Sequence, residues 1–174
     1  MTTYTLIFLR VVHIFAGTLW GGAAIFYLFF VKPSVQSIGP AGPQFMRNLA
    51  ERRRLPIFMS STSLLTVLAG AILFVYASGG FNLAWIQSGP GIGFTIGSVA
   101  ALIAFLTGSF IIGPTSARMG AIGQQIASAG GPPAPELLAQ IHSLEAKLSR
   151  AEIIDFVMLV IAMVTMATAR YWVF

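Results

Sequence analysis

Cysteine is absent from this 174-residue chain, and charged residues make up only 9% of it. The lack of cysteine excludes disulfides, thiolate metal sites, iron–sulfur clusters and cysteine nucleophiles. A soluble domain usually carries about 25% charged residues, and a water-soluble surface cannot be built from so few. Because 56% of the residues are hydrophobic, a soluble enzyme and a disordered chain are both excluded, and an integral membrane protein is indicated.

Four apolar stretches are long enough to cross a bilayer, which takes about 20 apolar residues. The first lies between Arg10 and Lys32, and glycine, serine and proline divide the uncharged run over 55–117 into two more. The fourth ends in Tyr171 and Trp172, an aromatic pair typical of the membrane interface. These patterns predict one all-α domain over the whole chain, a four-transmembrane-helix bundle. Its spans are expected at about 8–31, 55–78, 92–113 and 152–171.

Lysine and arginine are distributed unevenly between the connections. The segments before span two and before span four hold eight of the ten basic residues, whereas the connection between spans two and three holds none. Basic loops remain on the cytoplasmic side, so the sequence predicts an N-out/C-out protein of the bacterial inner membrane. These loops also explain the net charge of +5. The predicted partner is the lipid bilayer, and no nucleic-acid motif accompanies the charge.

Residues 114–150 are predicted to form a cytoplasmic helical hairpin. Its first arm extends span three past Gly113 and Pro114, and its second arm starts at Pro135 and runs into span four. A glycine- and proline-rich turn over 130–133 separates the arms. Apolar residues recur at helical spacing along the second arm, and we call them the apolar stripe: Leu137, Ile141, Leu144 and Leu148. The stripe needs a partner, which is the facing arm, a neighbouring subunit or the membrane surface.

His13 is the candidate functional residue because ionisable side chains within a membrane span are costly and usually functional. Gly17, Trp20 and Gly21 lie on the same helical face. Small residues beside an imidazole form a groove in which a flat macrocycle could lie with its iron bound to the imidazole. One hypothesis for this face is therefore a haem bound to His13, with these three residues lining the site.

Depth in the membrane suggests further site residues. Arg10 lies one turn nearer the outer surface than His13, and with Arg170 it is placed to neutralise haem propionates. Counting inward along span four at about 1.5 Å per residue reaches Met163 and Met166. Either methionine is a candidate second axial ligand. A five-coordinate iron and a ligand from another subunit are the alternatives.

Simpler interpretations exist for the same residues. Gly17 and Gly21 form a small-xxx-small pair that is typical of close helix packing. His13 could hydrogen-bond a hydroxyl group of span two, which is rich in serine and threonine. Asp155, at the cytoplasmic end of span four, is expected to pair with Arg54 or Arg118 on grounds of depth.

The first span resembles the first helix of HemJ-type protoporphyrinogen oxidases and the wider CopD-like membrane proteins. The resemblance rests on His13, Trp20, Gly22 and the run 26–28. The whole layout is similar to a family of bacterial four-helix membrane proteins of unknown function. The resemblance implies haem b on His13. It does not extend to protoporphyrinogen oxidation, because Phe29 stands where a basic residue is expected and spans two and three lack lysine.

Two functions of different class are therefore predicted. The first is a membrane cytochrome that transfers electrons, or a membrane haem oxidoreductase that acts on a quinone or another redox partner near the outer leaflet. The second is a non-catalytic structural or interaction subunit that docks a partner through the apolar stripe. Small-molecule or copper transport is a weaker third possibility. A homo-oligomer is expected in each case, because four short spans enclose little interior and carry glycine faces.

Overall fold

Four long helices make up the fold, and the computed structural model describes residues 1–129 and 132–174. The helices are α1 (Thr3–Ser37), α2 (Leu55–Ala77), α3 (Gly89–Ala129) and α4 (Pro135–Tyr171). Each is long and apolar enough to cross a membrane, and the described part of the chain contains no strand. The prediction of an all-α bundle of four membrane-spanning helices is therefore confirmed.

Successive long helices run antiparallel, so both chain termini lie at one end of the bundle. α1 packs along α2 and α3 packs along α4, while α2 also contacts α3 and α4 contacts α1. Met1, which precedes α1, lines the same surface depression as Tyr76 near the end of α2. Gly89 at the start of α3 lies against Trp172, which follows α4. The basic connecting segments lie at the opposite end, which is the arrangement that an N-out/C-out topology requires.

α1 and α3 each continue through a proline, which was expected for α3 but not for α1. A proline inside a helix lacks an N–H donor and clashes with the carbonyl group of the preceding turn. A π-helical turn widens the helix just before each one, at Tyr27–Val31 ahead of Pro33 and at Gly108–Ile112 ahead of Pro114. The first span was expected to end at Pro33, but α1 continues to Ser37.

The predicted helical hairpin forms from the last part of α3 and the first part of α4. The two arms contact each other, and Ile122 of α3 is only 5% exposed. All four residues of the apolar stripe are half-buried on α4. The stripe is thus not fully exposed, and the facing arm, a neighbouring subunit and the membrane surface stay the predicted partners. Gly130 and Gly131 of the predicted turn lie outside the described residues.

The connection between α2 and α3 is more ordered than the loop expected from the sequence. A short helix occupies Leu83–Ile86. The Ser88 hydroxyl then accepts a hydrogen bond from the Gly91 amide at 3.2 Å and caps α3. A Cβ atom on Gly91 would lie 1.8 Å from the carbonyl oxygen of Trp85, so this turn requires glycine.

Candidate functional site around His13

His13 lies half-buried on the face of α1 that packs against α2. Its Nδ1 atom is 2.8 Å from the backbone carbonyl oxygen of Thr66. A carbonyl oxygen only accepts hydrogen bonds, so Nδ1–H is the donor, and in the neutral imidazole Nε2 carries the free lone pair. The partner is a backbone carbonyl group rather than the hydroxyl group that the simpler interpretation expected. A hydrogen bond of this kind fixes the ring of metal-ligating histidines.

Gly70 allows the imidazole to approach α2 this closely. A Cβ atom at this position would lie 2.7 Å from Cε1 and 2.9 Å from Nδ1 of His13. Any larger residue would therefore displace the ring or separate the two helices. The Nδ1–Cε1 edge of His13 is thus held by the α2 backbone.

The groove predicted beside His13 is occupied by neighbouring side chains. A Cβ atom on Gly17 would meet Cγ2 of Thr66 at 3.3 Å, and one on Gly21 would meet Sδ of Met163 at 3.3 Å. The two glycines therefore let α1 pack closely against α2 and α4, as small-xxx-small pairs commonly do. The structure thus supports the packing interpretation of this pair.

The structure brings neither candidate methionine to His13. Met163 reaches α1 at Gly21, which is eight residues and about 12 Å further along the helix than His13. Met166 packs against α3 instead, where a Cβ atom on Gly97 would lie 2.6 Å from its Cγ. A second axial ligand from either residue of the same chain is not supported by this arrangement.

Trp20 lies in the core of the bundle rather than on the wall of an open pocket. Its side chain is 5% exposed and belongs to a buried apolar cluster with Ala104 of α3 and Leu159 of α4. Trp20 therefore packs α1 against the two helices of the other pair.

The two arginines predicted to bind propionates lie on different helices and are both exposed. Arg10 is one helical turn from His13 on α1 and is available to a carboxylate at the protein surface. Arg170 is in the last turn of α4, and its guanidinium group stacks over the Tyr171 ring at 4.7 Å from the centroid. Only Arg10 therefore shares an element and a face with His13.

The structure contradicts the ion pair that the sequence predicts for Asp155. Lys32 of α1 forms an ion pair with Glu152 of α4, whereas Asp155 forms no ion pair with Arg54 or Arg118. Both arginines are exposed. The predicted pairing of Asp155 with an arginine rested on depth alone, and Lys32 lies at a similar depth on α1. The sequence does not show that α1 contacts α4, and this contact determines that Lys32 pairs with Glu152.

Comparisons with known proteins identify no relative of this chain. No protein-family model matches the chain, and neither a curated protein nor a solved structure matches it. The resemblance to CopD-like proteins and HemJ-type oxidases therefore stays a prediction.

Proposed function

We propose that this membrane protein binds haem b through His13 and acts in electron transfer or in a small redox reaction. The observation that supports the proposal is the hydrogen bond from His13 Nδ1–H to the Thr66 carbonyl group. It leaves the Nε2 lone pair free in the neutral ring and orients the imidazole, as metal-ligating histidines require. A haem bound there would supply one-electron redox chemistry.

The surrounding residues have distinct tasks in this proposal. Thr66 and Gly70 hold the Nδ1–Cε1 edge of the imidazole, so Nε2 is the atom that would bind the iron. The macrocycle would then lie outside the groove at Gly17 and Gly21, because neighbouring side chains fill that groove. Arg10 supplies a cation for a propionate one turn nearer the end of the helix. Trp20 keeps α1 fixed against the other helix pair.

A homo-oligomer in the bacterial inner membrane is part of the same proposal. Met163 packs at Gly21 and Met166 at Gly97, so His13 would hold a haem alone or together with a residue of a neighbouring copy. The redox partner is then a quinone or a protein that reaches the outer leaflet. A mass measurement in mild detergent across a concentration series tests the oligomer, and a monomeric mass throughout contradicts it.

The main test compares two histidine variants. Asparagine at position 13 keeps an N–H donor for the Thr66 carbonyl group but cannot replace the imidazole as an iron ligand. We expect H13N to lose its haem, measured as haem per purified chain. His142 is exposed on α4, so H142N is the matched control and should keep the full complement. A full haem complement in H13N would overturn the assignment of His13.

The alternative functions have less support from the structure. The interaction-subunit hypothesis rests on an exposed apolar stripe, and all four residues of the stripe are half-buried on α4. The copper-transport hypothesis needs soft ligands that converge. Met163 faces α1 and Met166 faces α3, so these two methionines do not share a site.

A further inference from the structure

Ionisable and polar side chains gather between α1 and α4 at the end of the bundle away from the candidate haem ligand. Lys32 forms an ion pair with Glu152 and also donates a hydrogen bond to the Ser149 hydroxyl at 3.3 Å. Tyr27 is half-buried on α1, five residues before Lys32. Asp155 is buried on α4 and follows Glu152 by one turn. We call these five residues the carboxyl cluster.

Both acids of the carboxyl cluster are enclosed by protein. Glu152 and Asp155 are each only 7% exposed. The Oδ1 atom of Asp155 is buried and has no hydrogen-bond partner among residues 1–129 and 132–174. It points towards α3, where a Cβ atom on Gly108 would lie 4.0 Å away. A buried polar atom without a partner is rare and calls for an explanation.

Two π-helical turns border the carboxyl cluster. Tyr27 is the first residue of the π turn in α1, and Lys32 follows that turn directly. Gly108, which faces Asp155, is the first residue of the π turn in α3. Single π turns within α-helices occur frequently at functional sites. Here two of them, on different helices, border the same cluster, the α1 turn beside Lys32 and the α3 turn facing Asp155.

The charges of the carboxyl cluster do not balance if both acids are ionised. Lys32 neutralises Glu152, and within the described part of the chain no second cation pairs with Asp155. α1 adds only Tyr27, the π turn of α3 has no titratable residue, and Arg118 beyond it is exposed. An unpaired carboxylate in a protein interior is strongly unfavourable and takes up a proton instead. The described residues contain no group of three or more acids and histidines that could hold a metal ion.

We propose that the carboxyl cluster is a proton-binding site, in which the Asp155 carboxyl group holds one exchangeable proton. Water on the predicted cytoplasmic side supplies the proton, which converts the carboxylate to a neutral carboxylic acid. Glu152 stays ionised because Lys32 pairs with it. Tyr27 and the glycine at position 108 shape the surroundings of the acid. Along α1 this site begins about 21 Å from His13 at Tyr27 and reaches about 28 Å at Lys32, at 1.5 Å per residue, so it does not depend on haem binding.

Infrared spectroscopy of the full-length protein in detergent tests the proposal. We expect the carbonyl stretching band of a protonated carboxylic acid at neutral pH, with the small shift in heavy water that an exchangeable proton produces. D155N preserves the shape of the side chain without the titratable group and should remove this band. Glu145 is exposed on α4, so E145Q is the matched control and should keep it.

Three results would overturn the proposal. The first is the absence of the band from the unmodified protein at neutral pH. The second is a band of equal amplitude in D155N, which would assign the proton to another acid. The third is loss of the band when sodium replaces potassium at constant pH, because the cluster would then be a sodium site. A band that depends on Asp155 and not on sodium supports the proposal.

Discussion

Replacing Lys32 by methionine is expected to destabilise the folded protein by about 3–5 kcal/mol at neutral pH. The Glu152 side chain is 6% exposed, whereas that of Lys32 is 25% exposed. Removal of the lysine therefore leaves the buried Glu152 carboxyl group without its cation. The group must then stay ionised and unpaired or take up a proton in the folded state, and either change lowers stability. Unfolding in mixed micelles with increasing denaturing detergent measures the loss as a change in the free energy of unfolding.

Two further variants make this experiment decisive. Lys147 is exposed on α4, so K147M should change stability by less than about 0.5 kcal/mol. The double variant K32M/E152L should recover most of the loss, because an apolar pair of similar volume often replaces a buried ion pair without cost. Equal stability of K32M and the unmodified protein would show that this ion pair is not needed in the folded bundle.

Replacing Gly97 by leucine is expected to separate α3 from α4 and to lower the free energy of unfolding by about 1–3 kcal/mol or more. A Cβ atom at this position would lie 2.6 Å from Cγ of Met166 and 2.7 Å from Oγ1 of Thr165. A leucine side chain must therefore push the helices apart. In a bilayer, close packing is a main source of attraction between helices, so the loss is not compensated elsewhere. The same unfolding assay measures it.

Gly22 is the matched control for Gly97. It also lies in a membrane-spanning helix, but no atom lies within 4 Å of the position of its Cβ atom. G22L should therefore leave the stability nearly unchanged. Equal losses in G22L and G97L would mean that the expected contact between α3 and α4 is absent, and that glycine is needed at both sites for another reason.

The number and type of the helices could be predicted from the sequence, whereas their ends could not. Hydropathy and the uncharged run over 55–117 are enough to define spans, because only helices of such length cross a bilayer as single segments. Pro33 was a reasonable end for the first span. The π turn over Tyr27–Val31 accommodates that proline, and no local pattern in the sequence predicts such a turn.

The candidate site could be predicted only in part, because hydropathy does not determine which helix faces which. His13 was found as an ionisable residue within a span. Its contact with the Thr66 carbonyl group and the close approach of Gly70 depend on the packing of α1 against α2. The ion pair of Lys32 with Glu152 joins residues 120 positions apart. Several basic residues had a suitable depth, and only the fold selects among them.

Haem binding is tested most directly by an absorption spectrum of the purified protein, as isolated and after reduction with dithionite, with haem quantified per chain. The proposed function predicts a Soret band and sharp reduced α and β bands of a b-type haem, and their loss in H13N. A colourless protein that also fails to take up added hemin would contradict it. The proton-binding site at Asp155 would remain open to its own test, because no step in that proposal involves haem.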